Sequence, residues 1–297
     1  MQDHIEIINF VPKFLNFYRR AVGCDAETRF ALWKEHYGFA AVPPGEEGAL
    51  LARQQLEAAW ERYAEVVPAL ERCSPDTEKI RRYLSEIKRA LEYDEAVDAV
   101  LVFFVGAFDG NAFAAPYGEG RTAVCLPIEN GEDTVTLVHE LTHLVHGKII
   151  GSAMRWEKTV ASLVFQEGLA TRLSKHLVPD REDEVYVGHR AGWLRECSEA
   201  AEQLLQGLKP FLRDCSAESI VRFTMGTGTV GKEREDYFAG WKLIGDMLQW
   251  AGVRERELAE KQEIPTAFGE TLSWKYLTYV RAHPIAWHVP TRILYGA

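Results

Sequence analysis

The sequence lacks a long apolar run, a leader-like opening and an excess of positive charge. A membrane-spanning helix needs about 20 consecutive apolar residues. No stretch here approaches that, so no membrane partner is expected. The opening Met1-Gln-Asp-His-Ile-Glu-Ile-Ile8 has no basic region followed by an apolar stretch, which argues against a secretory signal. The five cysteines, Cys24, Cys73, Cys125, Cys197 and Cys215, are scattered, odd in number and without a CxxC spacing. That pattern argues against a disulfide framework and points to reduced thiols in a cytoplasmic protein. Acidic residues outnumber basic ones, 44 to 34, for a net charge of -10. A general nucleic-acid binder usually carries the opposite balance. There is no internal repeat and no low-complexity tract. What remains is an acidic globular chain of 297 residues, enough for one large domain or two modest ones.

Apolar spacing then divides the chain. Ile8 to Val22 carries Phe10, Phe14, Leu15 and Tyr18 at helical intervals, and a second helix is expected through Phe30, Leu32, Trp33 and Tyr37. Val42 to Gly48 is a breaker. A long amphipathic helix is predicted from Ala49 to Glu71, and Ser74-Pro-Asp-Thr-Glu78 starts another that ends near Tyr93. Ala99 to Val105 is β-branched and aromatic and reads as a buried strand; Ala123 to Pro127 is a second. The stretch between them, Gly106 to Gly120, is rich in Gly, Ala and Asn. Helices are predicted for Asp133–Gly147, Trp156–His176, Trp193–Leu208, Tyr237–Trp250 and Ala267–Val280. The expected architecture is α+β and mostly helical: a helical region over 1–95, then a domain over 96–297 with a small mixed sheet and a helical C-terminal half.

The segment that carries chemistry is Val138-His-Glu-Leu-Thr-His-Leu-Val-His146. Residues four apart on a helix lie about 6 Å apart along its axis and on one face. His139 and His143 can therefore converge on one ion. Glu140 is turned by about 100° from His139, which suits it to a water beside the ion rather than the ion itself. Val138, Leu141, Leu144 and Val145 form an apolar back to this helix. A chance match to HExxH is the alternative.

Zinc in a catalytic site takes three protein ligands and keeps one position open. His146 is about 10.5 Å along the axis from His139, too far to join both histidines on one straight helix. It is expected behind the ligands or in a pocket wall. A histidine six residues after the second ligand would define another class, but Ile149 stands there. Glu167 is the better third ligand. It shares a helical stripe with Trp156, Val160, Leu163, Val164 and Thr171, and a carboxylate in the middle of a buried face needs a counter-charge. Small Gly168 and Ala170 let that helix pack closely. Glu157 is the runner-up ligand, and an internal salt bridge of Glu167 or simple exposure of its helix is the alternative without metal.

His139-Glu-Leu-Thr-His143 followed by Gln166-Glu-Gly-Leu-Ala170 resembles the gluzincin-type zinc metallopeptidases. It looks closest to a family of predicted zinc-dependent proteases with an EGLA element on the second helix. The resemblance covers roughly Val102 to Leu248. It implies a zincin-like catalytic domain, a Zn2+ ion on His139, His143 and Glu167, Glu140 as general base, and a peptide or protein substrate. Thermolysin-like enzymes place an aspartate four residues after the ligand glutamate to support a ligand histidine; here that position is Thr171. A hydroxyl there makes a weaker support unless another group supplies it.

The same resemblance implies a sheet edge at Asn111, Ala112 and Phe113 that pairs with extended substrate, though a plain hairpin is an equal alternative. It also suggests Tyr237, in a YxxG-like helix start, as an oxyanion donor; a core tyrosine is the competing reading, and His189 and Tyr117 are lesser candidates. Gly226-Thr-Gly-Thr-Val-Gly-Lys232 matches GxGxxG and the start of a P-loop. Glu233 replaces the required Ser or Thr, and no βαβ unit surrounds it, so a loop is expected rather than a phosphate site. His283 and His288 are expected in a tail. A hydrolase of non-peptide amides or esters, a non-catalytic zinc protein and a helical interaction protein with a fortuitous motif stand as rival functions.

Overall fold

The computed structural model describes residues 3–42, 45–118, 121–150 and 159–250. The expected helix at Ala267–Val280, the tail histidines His283 and His288, and Glu157 lie outside these residues. Within them the chain divides into two units: residues up to Ile80 with Glu95–Glu140, and Arg81–Asp94 with the residues from Leu141 onward.

The first unit is built on a four-stranded mixed sheet. Its strands are β1 (His4–Asn9), β2 (Asp98–Phe104), β3 (Phe113–Tyr117) and β4 (Arg121–Pro127), in the order β1-β2-β4-β3. β1 and β4 run parallel to β2 on its two sides, and β3 runs antiparallel to β4. As an inner strand β2 is buried along all but its first residue, which is why its sequence is apolar without alternation. The sheet corrects the expectation of a purely helical start. His4-Ile-Glu-Ile-Ile-Asn9 is a strand, and Leu101 opposite Ile7 supplies the long-range pairing that no local pattern reveals. Helix α1 (Val11–Ala21) follows at once, with Pro12 in its first turn, where a missing N–H is harmless.

Helices α2 (Ala26–His36) and α3 (Glu46–Leu70) complete an aromatic core with α1. The Phe14 ring lies 4.9 Å from Tyr63 and 5.3 Å from Tyr37, in edge-on contacts. Both tyrosines then reach the chain leaving β2. Tyr37 donates to the Val105 carbonyl and accepts from the Val105 amide, each at 2.8 Å, and Tyr63 donates to the Gly106 carbonyl at 2.8 Å. Glu129, after β4, accepts from the Gly106 amide at 2.7 Å and the Phe108 amide at 3.0 Å. These bonds tie down the segment that leads into β3.

Helix α4 (Thr77–Ala90) starts on Asp76, which accepts from the Lys79 amide at 2.9 Å. Helix α5 (Thr134–Ile149) starts on Asp133, whose carboxylate accepts from the amides of Val135 and Thr136. The division between the units falls inside each of these continuous helices.

The second unit is helical: α6 (Val160–Leu177), α7 (Asp183–Val187), α8 (Trp193–Glu199), α9 (Ala201–Leu208), α10 (Ala217–Thr224) and α11 (Glu235–Trp250). The stretch read as one helix from Trp193 to Leu208 breaks at Ala200. Its main packing is α6 on α11, and glycines set the approach. A Cβ at Gly168 would stand 2.5 Å from the Gly240 carbonyl oxygen; one at Gly240 would stand 2.6 Å from the Gly168 nitrogen. Arg172 locks the next turn, its guanidinium 3.5 Å above the Trp241 ring and bonded to the Trp241 carbonyl.

Candidate metal centre

α5 places His139 and His143 one turn apart on one face, and α6 supplies Glu167. One ligand atom from each lies within 4.8 Å of the other two. The His143 Nε2 to Glu167 Oε1 distance is 3.4 Å. Two ligands held at ~2.0–2.1 Å in a tetrahedron would be ~3.3 Å apart, so this edge already has the length that a small ion requires. The donor set of two imidazoles and one carboxylate also suits zinc. Both side chains keep partial access, 20% for His143 and 13% for Glu167. The His139, His143 and Glu167 cluster could therefore hold a metal ion.

Glu140 follows His139 on α5 and is 8% exposed. It lies toward the sheet: burial pushes the Cys125 thiol up, and the nearby charge of Glu140 adds to that. Cys125 sits on β4 opposite Phe113 of β3. The start of the edge strand is thus one strand away from the residue that faces Glu140. Of the expected edge, Phe113 opens β3, while Asn111 and Ala112 lie in the segment before it. Among the described residues β3 has one neighbour in the sheet, β4.

The expected supports behave differently. His146 is buried and its ring packs 5.6 Å from that of Phe165, outside the ligand cluster. Thr171 is fully buried, and its hydroxyl donates to the carbonyls of Glu167 and Gly168 on its own helix. A hydroxyl in a helix interior is commonly drawn to the preceding turn in this way. Thr171 therefore steadies α6 and does not bond an imidazole.

Tyr237 lies in the first turn of α11, where three charged residues that the sequence reading passed over also meet. Arg234 precedes the helix with a left-handed backbone (φ 53°) and lays its guanidinium 3.7 Å over the Tyr237 ring. Burial disfavours the Arg234 cation, but Tyr237, Glu167 and Asp236 together outweigh it and hold its pKa above the ordinary value. Asp236 is fully buried and neither carboxyl oxygen has a hydrogen-bond partner. Burial, with the like charge of Glu167, pushes that carboxyl well above the usual carboxylate range. Glu235 is fully buried and accepts from the Thr229 amide at 2.8 Å, the Thr229 hydroxyl at 3.0 Å and the Val230 amide at 2.8 Å. The glycine-rich loop is thus folded around a carboxylate of its own. The amides of Gly226, Gly228, Thr229 and Val230 are bonded within the protein, and Lys232 pairs with Glu196 at 3.0 Å, which argues against a phosphate cradle. The helical pattern alone could have flagged a cluster of charge before an apolar helix, but not its direction.

His189 faces Glu233 at 4.0 Å, and Arg121 lies over the Tyr117 ring. No described helix is long and apolar enough to cross a membrane. Comparison with known proteins finds no match among family models, curated proteins or solved structures.

Proposed function

We propose that this protein is a zinc-dependent hydrolase of peptide bonds with a zincin-like catalytic domain. The observation that carries the reading is the convergence of His139, His143 and Glu167, from two helices, with a buried Glu140 beside them. A structural ion pair would need neither the second histidine nor the adjacent acid.

Zinc at such a centre lowers the pKa of water towards about 7 and polarises a carbonyl oxygen. The two imidazoles and the Glu167 carboxylate would hold it. Glu140 takes the proton that water loses as it attacks the scissile carbonyl, then delivers it to the leaving nitrogen. Its position on the sheet side of α5 suits a substrate laid along β3. An extended peptide could add, through backbone hydrogen bonds, to the side of β3 that pairs with no strand among the described residues. This favours a peptide over a small ester or amide, which has no strand to add. Tyr237 is the proposed donor to the oxyanion.

The test is metal analysis of purified protein together with turnover of a peptide panel by the wild type and Glu140→Gln. The reading requires stoichiometric zinc in both proteins and hydrolysis by the wild type alone. A metal-replete Glu140→Gln protein that still cleaves peptides would remove Glu140 from the mechanism. Absence of bound metal would remove the centre.

A further inference from the structure

The first unit encloses a space that the mechanism above leaves unused. A cavity of about 160 Å³ lies where β2 and β4 end and α5 begins. Ile80 of α4, Phe103 of β2, Leu126 of β4, Ile128 and Leu137 of α5 line it with buried apolar surface. All of them belong to the first unit. Phe103 and Leu126 are register partners on the parallel pair β2 and β4, so they stand side by side on one face of the sheet. The cavity thus sits beyond the carboxyl ends of two parallel strands, where open sheets of parallel strands commonly hold ligands.

Residual exposure shows that the space reaches solvent. Phe103, Leu126, Ile128 and Leu137 keep 4%, 5%, 3% and 6%, while their chain neighbours Val102, Cys125 and Val138 have none. The mouth is polar. Residues 130–133 are exposed there, and Lys79 of α4 meets Glu132 at 3.5 Å. A partly exposed ion pair of this kind adds little stability, so a guest meets no strong closure.

Size sets the guest. An apolar cavity of about 150 Å³ lined by Leu, Ile and Phe takes one benzene molecule. The same residue types and a matching volume stand here. The apolar floor offers water few partners, and it offers an aromatic guest the Phe103 ring to pack against.

We infer that this cavity is a binding site for a single benzene-sized apolar ring. The ring has two sources: a free small aromatic molecule, or an aromatic side chain of a peptide. Only the second leans on the hydrolase reading. Two lining residues suit it. Thr136 stands four residues before Glu140, about 6 Å along α5. Gly110 belongs to the segment that leads into β3.

Benzene is the probe, titrated into full-length wild type, Ile80→Phe and Ile128→Phe. Binding is read from the NMR shifts of the Leu126 and Leu137 methyl groups. Each substitution puts a ring of the chain's own into the space from a different wall, so a folding failure in one leaves the other. Saturable shifts are expected in wild type and not in a folded variant. Benzene should likewise raise the melting temperature of wild type alone. No saturable shift at those methyls in wild type overturns the site. So does equal benzene affinity in a folded Ile80→Phe or Ile128→Phe protein. This titration needs neither zinc nor turnover, so its failure is distinct from failure of the hydrolase reading. Displacement then separates the sources, on the Glu140→Gln protein so that no peptide is consumed. A Phe-bearing peptide that displaces benzene where its Ala counterpart does not assigns the side chain. Displacement by phenol, with neither peptide effective, assigns a free molecule. Equal displacement by both peptides moves the guest to a backbone cleft and overturns the ring site.

Discussion

His143 Nε2 on α5 stands 3.4 Å from Glu167 Oε1 on α6. At that separation the pair is either an ion pair or two corners of a metal polyhedron. The presence of His139 in the same cluster favours the second, because a lone carboxylate needs only one cationic partner.

That choice yields the first prediction. Single replacement of His139, His143 or Glu167 by alanine should abolish stoichiometric zinc. Removing a general base costs about 10²–10⁴-fold in rate, so Glu140→Gln should keep its zinc and lose turnover by that factor. Zinc in excess of its Kd by about 100-fold should stabilise the folded protein by about 2.7 kcal/mol. Chelation should therefore lower the melting temperature of wild type and leave Glu167→Ala unmoved. Elemental analysis and thermal melts with and without chelator check both halves.

The contact of α6 with α11 gives a second. Glycine to alanine within a helix normally stabilises by about 1 kcal/mol. At Gly240 the new Cβ would stand 2.6 Å from the Gly168 nitrogen and 2.9 Å from its Cα, both backbone atoms that cannot swing aside. Overpacking of this kind costs about 1–3 kcal/mol, so the clash wins. Gly240→Ala should be destabilised in urea and bind zinc more weakly, because Glu167 is the neighbour of Gly168. A stabilised Gly240→Ala protein would contradict the packing.

Glu129 predicts a pH dependence. Burial raises its pKa above the ordinary 4.5, against the lowering effect of bonds from the Gly106 and Phe108 amides. An acid with a raised folded value binds its proton more readily when folded. Its contribution is then most favourable below 4.5 and is lost as pH rises from there through the raised folded value. Glu129→Gln should lack this slope. It should also be less stable by about 1–3 kcal/mol, since an amide nitrogen cannot accept from one of the two backbone donors. Denaturation midpoints of the two proteins across that window decide it; parallel curves would refute the assignment.

Glu235 makes the fourth. Replacement by alanine leaves the Thr229 and Val230 amides without their acceptor, and an unsatisfied donor costs about 1–3 kcal/mol where it stays buried. The Gly226–Lys232 loop should open, seen as faster amide exchange there.

The elements that the sequence discloses are those whose signal is local. The HExxH helix, the inner strand β2 and the glycine-bearing second helix follow from periodicity within a few turns. Glu167 was legible for the same reason, as a charge on an apolar stripe. β1 was not, because His4–Asn9 has no clean alternation and becomes a strand only against residues some ninety positions later.

By itself the sequence determined which side chains share the ligand face of α5, since helical geometry depends on the chain alone. Tertiary structure decided the rest. It brought Glu167 to the imidazoles, turned Thr171 onto its own helix, filled the glycine loop with Glu235 and laid Arg234 over the Tyr237 ring. Each of these depends on where a second element comes to lie, which the close approach of α6 and α11 at Gly168 and Gly240 sets and no local spacing encodes.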